Sequence, residues 1–404
     1  MSKEASYVSV TADRGAVLRA TQSLKMARSS HAFVRGSTMQ FYRWLARSEY
    51  STIPRGPAVW ICGDCHSGNL GPVASADGDI DVQIRDLDQS VVGNPSHDLI
   101  RLALSLASAA RGSDLPGVTT AIMIERMVAG YERALGGRTV STKILGDKPH
   151  AIRVVIRRAM GRTWRHLAEE RLVDVRPTIP LGKRFWPLSK AERHDLQDLF
   201  AAEEVRGLVT SLKARKSGAP VELLDAAFWR KGCSSLGRLR YAVLLRVGRS
   251  ADESAFCLMD VKEAIRAAAP RAPHAQMPRD NARRVVAGAR QLAPYLGERM
   301  VPASIRGRSV VIRELMPQDL KIDIDHLTPA EAASAAEYLA AVVGRAHGRQ
   351  MDRSVRRAWR RMLSQRRTQR LDAPSWLWSN VVALLSLHEA AYLEHCRAYA
   401  RTLG

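Results

Sequence analysis

The chain of 404 residues carries 62 Lys and Arg against 40 Asp and Glu, a formal charge of +22, and 46% of its residues are hydrophobic. This length and apolar fraction allow two or three folded domains and exclude a chain that is disordered throughout. The charge makes anions the expected partners, such as phosphorylated small molecules, nucleic acid or an acidic membrane surface. A solvated Arg-rich surface also accounts for it, so charge alone selects no function.

The cysteines and the apolar segments indicate the cellular setting. Five cysteines are an odd and sparse set for a chain this long, and they do not suggest a disulfide framework. The first residues lack the apolar run of a signal peptide, and no apolar stretch is long enough to span a membrane. We therefore expect a cytoplasmic protein without a membrane span.

The first predicted elements surround a polar loop. One or two helices over 13–50 precede a short apolar strand at 58–62. Residues 69–74 and 79–85 are typical of the two arms of a hairpin, because an Asp-Gly pair lies in the turn between them. Further helices are expected after this hairpin, at 96–111, 115–136 and 150–172.

Strands become more frequent in the second half of the chain. They are predicted at 238–247, 255–261 and 309–315, with a helix at about 280–295. Thr328-Pro-Ala-Glu331 combines a capping box with Pro in the first turn, which predicts a helix to about His347. The expected fold is α+β, divided into a helix-rich catalytic segment, a small antiparallel β segment and a helical segment that completes the large lobe: 1–220, 221–325 and 326–404.

A constellation at 60–90 carries the predicted chemistry. Asp64 and Asn69 leave the strand on a short loop, and the hairpin returns the chain to Asp86 and Asp88. Phosphoryl transfer needs a carboxylate that accepts or orients the attacking hydroxyl, and oxygen ligands for Mg²⁺. The order of these residues therefore predicts a metal-assisted phosphoryl-transfer site. The structural alternative is a surface loop in which Asp and Asn only cap turns.

Several motifs around this constellation resemble known families. Gly63-Asp-Cys-His-Ser-Gly-Asn69 is similar to the Gly-Asp-x-His-x-x-Asn loop of the aminoglycoside and choline phosphotransferases. Asn94-Pro-Ser-His-Asp-Leu99 resembles the Pro-x-x-Asp-Leu that follows their metal-binding Asp. With Ser30-His-Ala-Phe-Val-Arg-Gly36, the motifs look more closely like a bacterial family still called a domain of unknown function. That likeness extends over most of the chain.

The resemblance to the phosphotransferases implies roles for the loop and hairpin residues. Asp64 would be the catalytic base, and Asn69 and Asp86 would bind Mg²⁺, with Asp88 as a second carboxylate ligand. Asp98 would brace the loop from the following helix.

Two basic residues near the loop have more than one expected role. His66 would orient Asp64 or contact phosphate as part of the catalytic site, or would be structural. Arg35 would contact phosphate or the acceptor, or would form a structural salt bridge.

The nucleotide-binding half is expected downstream of the catalytic loop. A Gly-rich loop precedes the strand at 239–247, and backbone N–H groups of such a loop can hold phosphate. Lys262 ends the next strand, where its charge would hold the α- and β-phosphates. The strand 309–315 would present backbone groups to adenine. The candidate nucleotide-binding residues are Gly232, Ser234, Ser235, Gly237, Lys262, Glu314 and Met316.

This order of segments indicates a circularly permuted kinase-like fold, with the catalytic loop before the nucleotide lobe. The expected function is transfer of a phosphoryl group from ATP, with Mg²⁺, to a hydroxyl of an unknown small molecule or protein. Nucleotidyl transfer is an alternative reaction. The predicted helix at 280–295 lacks the Glu that usually pairs with the lysine, so Glu298 or Glu263 would have to replace it. An inactive nucleotide-binding protein therefore remains an alternative.

Three further classes of protein fit parts of the sequence. Cys62-Gly-Asp-Cys65-His66 matches a haem c attachment pattern, although no signal peptide precedes it, and the same residues could bind zinc. Nucleic-acid binding would use the basic charge, with Trp359 stacking on bases and the Arg cluster at 353–370 neutralising phosphates. That class is not favoured, because no known nucleic-acid-binding motif is present.

Overall fold

The computed structural model describes residues 14–47, 53–136, 148–162, 178–211, 215, 218–231, 237–248, 256–320, 322, 327–364, 367–368 and 371–402. Within these ranges the chain is a mixed α+β protein with antiparallel sheets. No helix in the described ranges combines the length and the apolar character needed to cross a membrane.

Helices make up most of the described chain. Their bounds are α1 Arg14–Ala27, α2 Ser30–Gly36, α3 Thr38–Leu45, α4 Pro95–Gly112, α5 Gly117–Leu135, α6 His150–Met160, α7 Lys190–Ala201, α8 Glu203–Thr210, α9 Asn281–Leu292, α10 Pro294–Gly297, α11 Pro329–Gly348, α12 Arg353–Ser364 and α13 Ser375–Ala400. Residues 67–69 form a short 3₁₀ turn.

The strands form one larger sheet and three two-stranded pairs. Their bounds are β1 Val59–Ile61, β2 Leu70–Ala74, β3 Ile80–Ile84, β4 Val91–Gly93, β5 Phe185–Trp186, β6 Val221–Trp229, β7 Arg240–Val247, β8 Phe256–Glu263, β9 Met300–Ile305, β10 Arg308–Glu314, β11 Arg367–Thr368 and β12 Leu371–Pro374. The pairs are β1 with β4, β2 with β3, and β11 with β12.

The larger sheet is antiparallel, in the order β5-β6-β7-β8-β10-β9. Apolar clusters cover both of its faces, so strand β7 is almost continuously buried. Tyr241, Val243 and Leu245 point into the cluster that α1, α7 and α8 share. Ala242 and Leu244 point into the cluster that includes β5 on the other face.

The main core lies around α4, α5 and α11, and Cys62 and Cys65 of the loop after β1 pack into it. Helices α5 and α11 pack very closely: a Cβ atom added to Gly130 would lie only 2.0 Å from the backbone oxygen of Glu337. Only Gly, which has no Cβ atom, allows the two helices to approach each other this closely.

Local signals in the sequence correspond to several observed elements. Strand β1, the β2–β3 hairpin, α4 and α9 are confirmed within one or two residues at most ends. Thr328 and Glu331 form the expected capping box at the start of α11. The expected helical region at 13–50 contains three helices. Strands that were not anticipated are β4, β5, β6, β9 and the β11–β12 pair, and the unanticipated helices include α7 and α8.

Candidate functional site

The loop after β1 is held by the first turn of α4. Asn94 caps this helix through its side chain, with Pro95 in the first turn. Asp98 then turns its carboxylate toward the loop and accepts hydrogen bonds from the backbone N–H groups of Cys62, at 2.7 Å, and Gly63, at 2.9 Å. Asp98 is completely buried, so it braces the loop as the resemblance implied.

Gly63 gives the loop its sharp turn. Its φ is +73°, and a Cβ atom there would lie 2.2 Å from the backbone oxygen of Gln89. A side chain at this position would therefore suffer both backbone strain and a collision with another backbone. The hydroxyl of Tyr42 donates to the carbonyl of Gly63 at 2.5 Å, which ties α3 to the same turn.

The proposed base, Asp64, lies beside a buried arginine. Its Oδ1 accepts from Arg101 Nε at 3.0 Å. Arg101 also donates to the carbonyl of Val34 at 2.5 Å, and its guanidinium lies over the ring of Phe41. Burial raises the pKa of Asp64, and the Arg101 charge opposes that rise. The carboxylate is thus fixed in direction and is more basic than an exposed Asp.

Asn69 links the loop to the end of the hairpin. Its amide nitrogen donates to the carbonyl of Asp86 at 2.9 Å and to the carbonyl of Asp64 at 3.2 Å. Both hydrogens of the amide are used in this assignment, so the side-chain oxygen is the atom that can bind a cation.

Lys262 joins the hairpin to the large sheet. Its Nζ lies 3.1 and 3.2 Å from the two carboxylate oxygens of Asp86 and 2.6 Å from Asp88 Oδ2. The Asp carboxylates come from the segment after β3, and Lys262 comes from β8. Three residues predicted for two separate parts of the site therefore meet in one ion cluster.

The two carboxylates in this cluster differ in their acidity. Burial opposes the charge of Asp86, but the charges of Lys262 and Arg313 outweigh it and hold the pKa of Asp86 far below its usual range. Solvent screens part of this effect because 46% of the Asp86 side chain is exposed. Burial and the neighbouring Asp86 charge raise the pKa of Asp88.

Neither glutamate considered as the lysine partner has that role. Glu298 is exposed, and Glu263 accepts from the backbone N–H of Leu239 at 2.8 Å. Helix α9 instead directs Arg284 toward the site, where it donates to the carbonyls of Asp88 and Ser90. In the kinase-like pattern, the corresponding helix carries a glutamate that pairs with the lysine. Helix α9 instead carries Arg284, which binds backbone carbonyl groups.

A second ion cluster lies next to Lys262 on the same sheet. Asp260 accepts from Arg240 at 2.8 and 2.5 Å and from Arg313 at 3.2 Å. Burial opposes the charge of Asp260, but the two guanidinium groups lower its pKa well below the usual value. Arg313 also donates to the carbonyl of Arg85 at 3.1 Å. A pocket between hairpin and sheet is lined by Asp86, Asp88, Asp260, Lys262 and Arg313.

The remaining candidate nucleotide-binding residues have no described contact with the Asp64 loop. The carboxylate of Glu314 is bound by both terminal nitrogens of Arg215 at 2.7 Å, and its backbone carbonyl accepts from Arg299 at 2.9 Å. Met316 is half-buried just after β10. Gly237 precedes β7 with a φ of +95°. Gly232, Ser234 and Ser235 lie outside the described residues.

A buried chain of hydrogen bonds, which the sequence analysis did not predict, supports Asp98 and through it the loop after β1. His347 lies with Nε2 3.1 Å from Asp98 Oδ2 and Nδ1 2.9 Å from the hydroxyl of Tyr131. Trp359 donates to the same hydroxyl at 3.2 Å. The partner of Asp64 was also missed, although Arg101 follows Asp98 by three residues and so lies on the same face of α4.

The structure bears on the alternative sites. Cys62 and Cys65 are buried free thiols. The hydrogen bond between them lowers the pKa of Cys62 and raises that of Cys65, and burial raises both, so the pKa of each thiol lies above its usual value. No group of three His, Cys, Asp or Glu side chains suited to a metal occurs among the described residues. Trp359 is only 1% exposed, so it cannot stack on a nucleic-acid base.

The comparisons with known proteins identify a family. Residues 15–398 match the profile of a family described as an uncharacterized protein conserved in bacteria (DUF2252). The chain belongs to this family. The match covers most of the sequence, as expected from the likeness to a bacterial family of unknown function. No curated protein and no solved structure matches the chain.

Proposed function

We propose that this DUF2252 protein is a Mg²⁺-dependent phosphotransferase that uses ATP, with Asp64 as the base for an acceptor hydroxyl. The observation that carries the proposal is the meeting of Lys262 with Asp86 and Asp88, next to the loop that presents Asp64 and Asn69. A base, candidate metal ligands and a phosphate-binding lysine are the parts that phosphoryl transfer requires.

The topology supports a kinase-like small lobe. In chain order, two paired strands, β6 and β7, precede strand β8, which carries Lys262. Helix α9 follows β8 in the chain and precedes the paired strands β9 and β10. A lysine on the third strand followed by a helix is the kinase-like arrangement. Since the catalytic loop precedes all of these elements in the chain, we propose that the fold is circularly permuted.

The donor atoms at the hairpin suit Mg²⁺. Two carboxylates already converge on one cationic group, Lys262 Nζ, and the side-chain oxygen of Asn69 is not used by its observed hydrogen bonds. Hard oxygen ligands are the ones that Mg²⁺ prefers. Asn69, Asp86 and Asp88 would hold the ion, which would offset the charge of the phosphates. Lys262 would then exchange a carboxylate partner for phosphate.

The residues around the base have separable tasks. Arg101 fixes the direction of the Asp64 carboxylate, and the elevated pKa of Asp64, which burial causes, favours proton acceptance from a hydroxyl. Asp98 and Tyr42 keep the loop in position through its backbone. Arg284 anchors the backbone after Asp86, which keeps the carboxylates facing the sheet.

The test combines nucleotide binding with turnover. ATP with Mg²⁺ is expected to raise the melting temperature of the full chain, since a ligand that binds the folded state stabilises it. Asp64→Asn and Asp86→Ala should each lower ATP turnover by more than about a hundredfold. Asp79→Ala, in the exposed turn of the same hairpin, is the matched control and should keep full turnover. Unchanged turnover in both site variants would refute the phosphotransferase.

The same experiment distinguishes an active phosphotransferase from an inactive nucleotide-binding protein. A protein that is stabilised by ATP and Mg²⁺ but shows no turnover with any acceptor would be a nucleotide-binding relative. The replacement of the usual helix glutamate by Arg284 is the observation that favours this alternative.

A further inference from the structure

Arg35 is a half-buried cation that has no anionic partner among the described residues. It lies in α2, and no hydrogen bond or ion pair joins it to any residue in the described part of the chain. Its Nε is fully screened from solvent and has no acceptor there. Because a buried donor without an acceptor is destabilising, such an arrangement is suited to binding a ligand. The structural salt bridge considered for Arg35 is absent among these residues.

His66 faces the same space as Arg35. A Cβ atom added to Gly68 would lie 3.3 Å from both Cζ and Nε of Arg35 and 3.4 Å from Nδ1 of His66. His66 is more than nine-tenths buried, and its Nδ1 has no partner within the described ranges. Arg35 Nε and His66 Nδ1 thus lie near the same glycine but do not form a hydrogen bond with each other. Because Gly68 has no side chain, the space between them is open.

The base lies next to this gap. Arg101 donates a hydrogen bond to the carbonyl of Val34, the residue before Arg35, and its Nε donates to the Asp64 carboxylate. The second terminal nitrogen of Arg101, Nη1, is buried and has no partner in the described structure. Burial lowers the pKa of His66 well below its usual value, and the charges of Arg35 and Arg101 lower it further. His66 is therefore neutral at physiological pH and can donate one hydrogen bond.

The nearby carboxylates do not compensate Arg35. Asp64 is paired with Arg101, and Asp86 is paired with Lys262. The uncompensated charge lies on the α2 side of the loop, whereas the proposed phosphate-binding lysine comes from the sheet. The two cationic regions therefore suit two different anionic groups.

Resting on the phosphotransferase function proposed above, we propose that the acceptor carries an anionic group, phosphate or carboxylate, which Arg35 and His66 bind beside Asp64. A guanidinium binds either group through paired hydrogen bonds. An acceptor with a positive charge near its hydroxyl, such as an amino alcohol, would be repelled. The acceptor class is thus a hydroxylated anion.

The experiment measures the binding of inorganic phosphate to the full chain by calorimetry. The chain is first saturated with Mg²⁺ and a non-hydrolysable ATP analogue, so that the donor site is occupied. Arg35→Gln and His66→Gln should each weaken phosphate binding by about tenfold or more, because each removes a direct contact. Arg43→Gln, in the neighbouring helix α3 with an exposed side chain, is the matched control and should bind phosphate as the wild type does.

Two results would overturn the proposal. Equal phosphate affinity in Arg35→Gln and Arg43→Gln would show that Arg35 has no anion-binding role. Loss of phosphate binding whenever the ATP analogue is bound, but not with ADP, would assign Arg35 to the donor phosphate instead. Failure of the proposed function has a different signature, since the wild-type chain would then show no ATP turnover with any acceptor, whether or not it binds the nucleotide. Retained melting temperature in Arg35→Gln separates a lost contact from a lost fold.

Discussion

His347 Nε2 lies 3.1 Å from Asp98 Oδ2, and both side chains are completely buried. The contact joins α11 to the carboxylate that holds the backbone of the loop after β1. Tyr131 and Trp359 extend the chain of hydrogen bonds away from the site. The position of Asp64, the proposed base, therefore depends on residues that are far from it in the sequence.

Replacing Asp98 tests this support. Asp98→Ala removes the acceptor of two buried N–H groups and of His347, and we expect the free energy of unfolding to fall by about 3 kcal/mol. Urea denaturation measures the change. Asp198→Ala is the control, since its pairing partner His194 and its own side chain are mostly exposed, and it should change stability by less than about 0.5 kcal/mol. Similar losses in the two variants would contradict the bracing role.

Two glycines with positive φ form a matched pair. Gly78→Ala, at φ +92° with no atom near the added Cβ, should cost only about 1–2 kcal/mol of backbone strain. Gly63→Ala should be far more damaging, because its Cβ would lie 2.2 Å from the backbone oxygen of Gln89. Thermal melts of both variants check the difference. Equal melting temperatures would show that the loop can move away from Gln89.

Removing the lysine changes the affinity for metal. In Lys262→Met the carboxylates of Asp86 and Asp88 lose their internal cation, so Mg²⁺ without nucleotide should bind about tenfold more tightly than in the wild type. ATP should bind more weakly, because the phosphate contact is gone. Calorimetry with MgCl₂ measures the first effect, and Lys190→Met, an exposed lysine, is the control. Weaker Mg²⁺ binding in Lys262→Met would count against a carboxylate metal site.

Acid should destabilise the protein partly through His388. Burial, and then the charge of Arg101, lower the pKa of His388 to about 4, although its bond to the Leu384 carbonyl opposes the shift. The unfolded chain, with a His pKa of about 6.5, therefore binds the proton first, and stability falls as the pH drops from 6.5 toward 4. Between pH 7 and 5 the wild type should lose about 2 kcal/mol more than His388→Gln. Denaturant titrations at both pH values measure this, and parallel losses would contradict it.

The thiols in the loop should be unreactive. Burial contributes to a raised pKa for both Cys62 and Cys65, and a thiolate is the reactive form. Alkylation of the native protein, followed by mass spectrometry, should modify the partly exposed Cys396 well before either loop cysteine. Denaturant should remove the difference. Rapid modification of Cys62 in the native state would mean that the loop opens readily.

Elements with a strong local signal were predictable. The β2–β3 hairpin follows from its turn, and α11 follows from the Thr328 capping box and the adjacent Pro. Strand β6 was missed because its first half is only partly buried and its pairing with β7 shifts register between Leu223 and Asp225. Such a strand lacks a regular alternation, and its position depends on a partner that local sequence does not reveal.

The residues of the candidate site also fall into two groups: those that local spacing predicts and those that distant segments supply. Spacing within one short segment brought Asp64, Asn69 and Asp86 together in the prediction, and they do lie together. No spacing rule indicates that Lys262 would bind Asp86, because the two are 176 residues apart. His347 was missed for the same reason. The sequence shows that the helix at 280–295 has no Glu, but it does not indicate that Arg284 on this helix would hold the backbone after Asp86.

The separation between Asp86 and Lys262 has a consequence for synthesis on the ribosome. The lysine is added 176 residues after the aspartate, which takes about 10–35 seconds at ordinary elongation rates. Until then the hairpin carboxylates have no internal cation and repel each other. Ions of the surrounding solution must screen this repulsion during that interval, before the internal cation is in place.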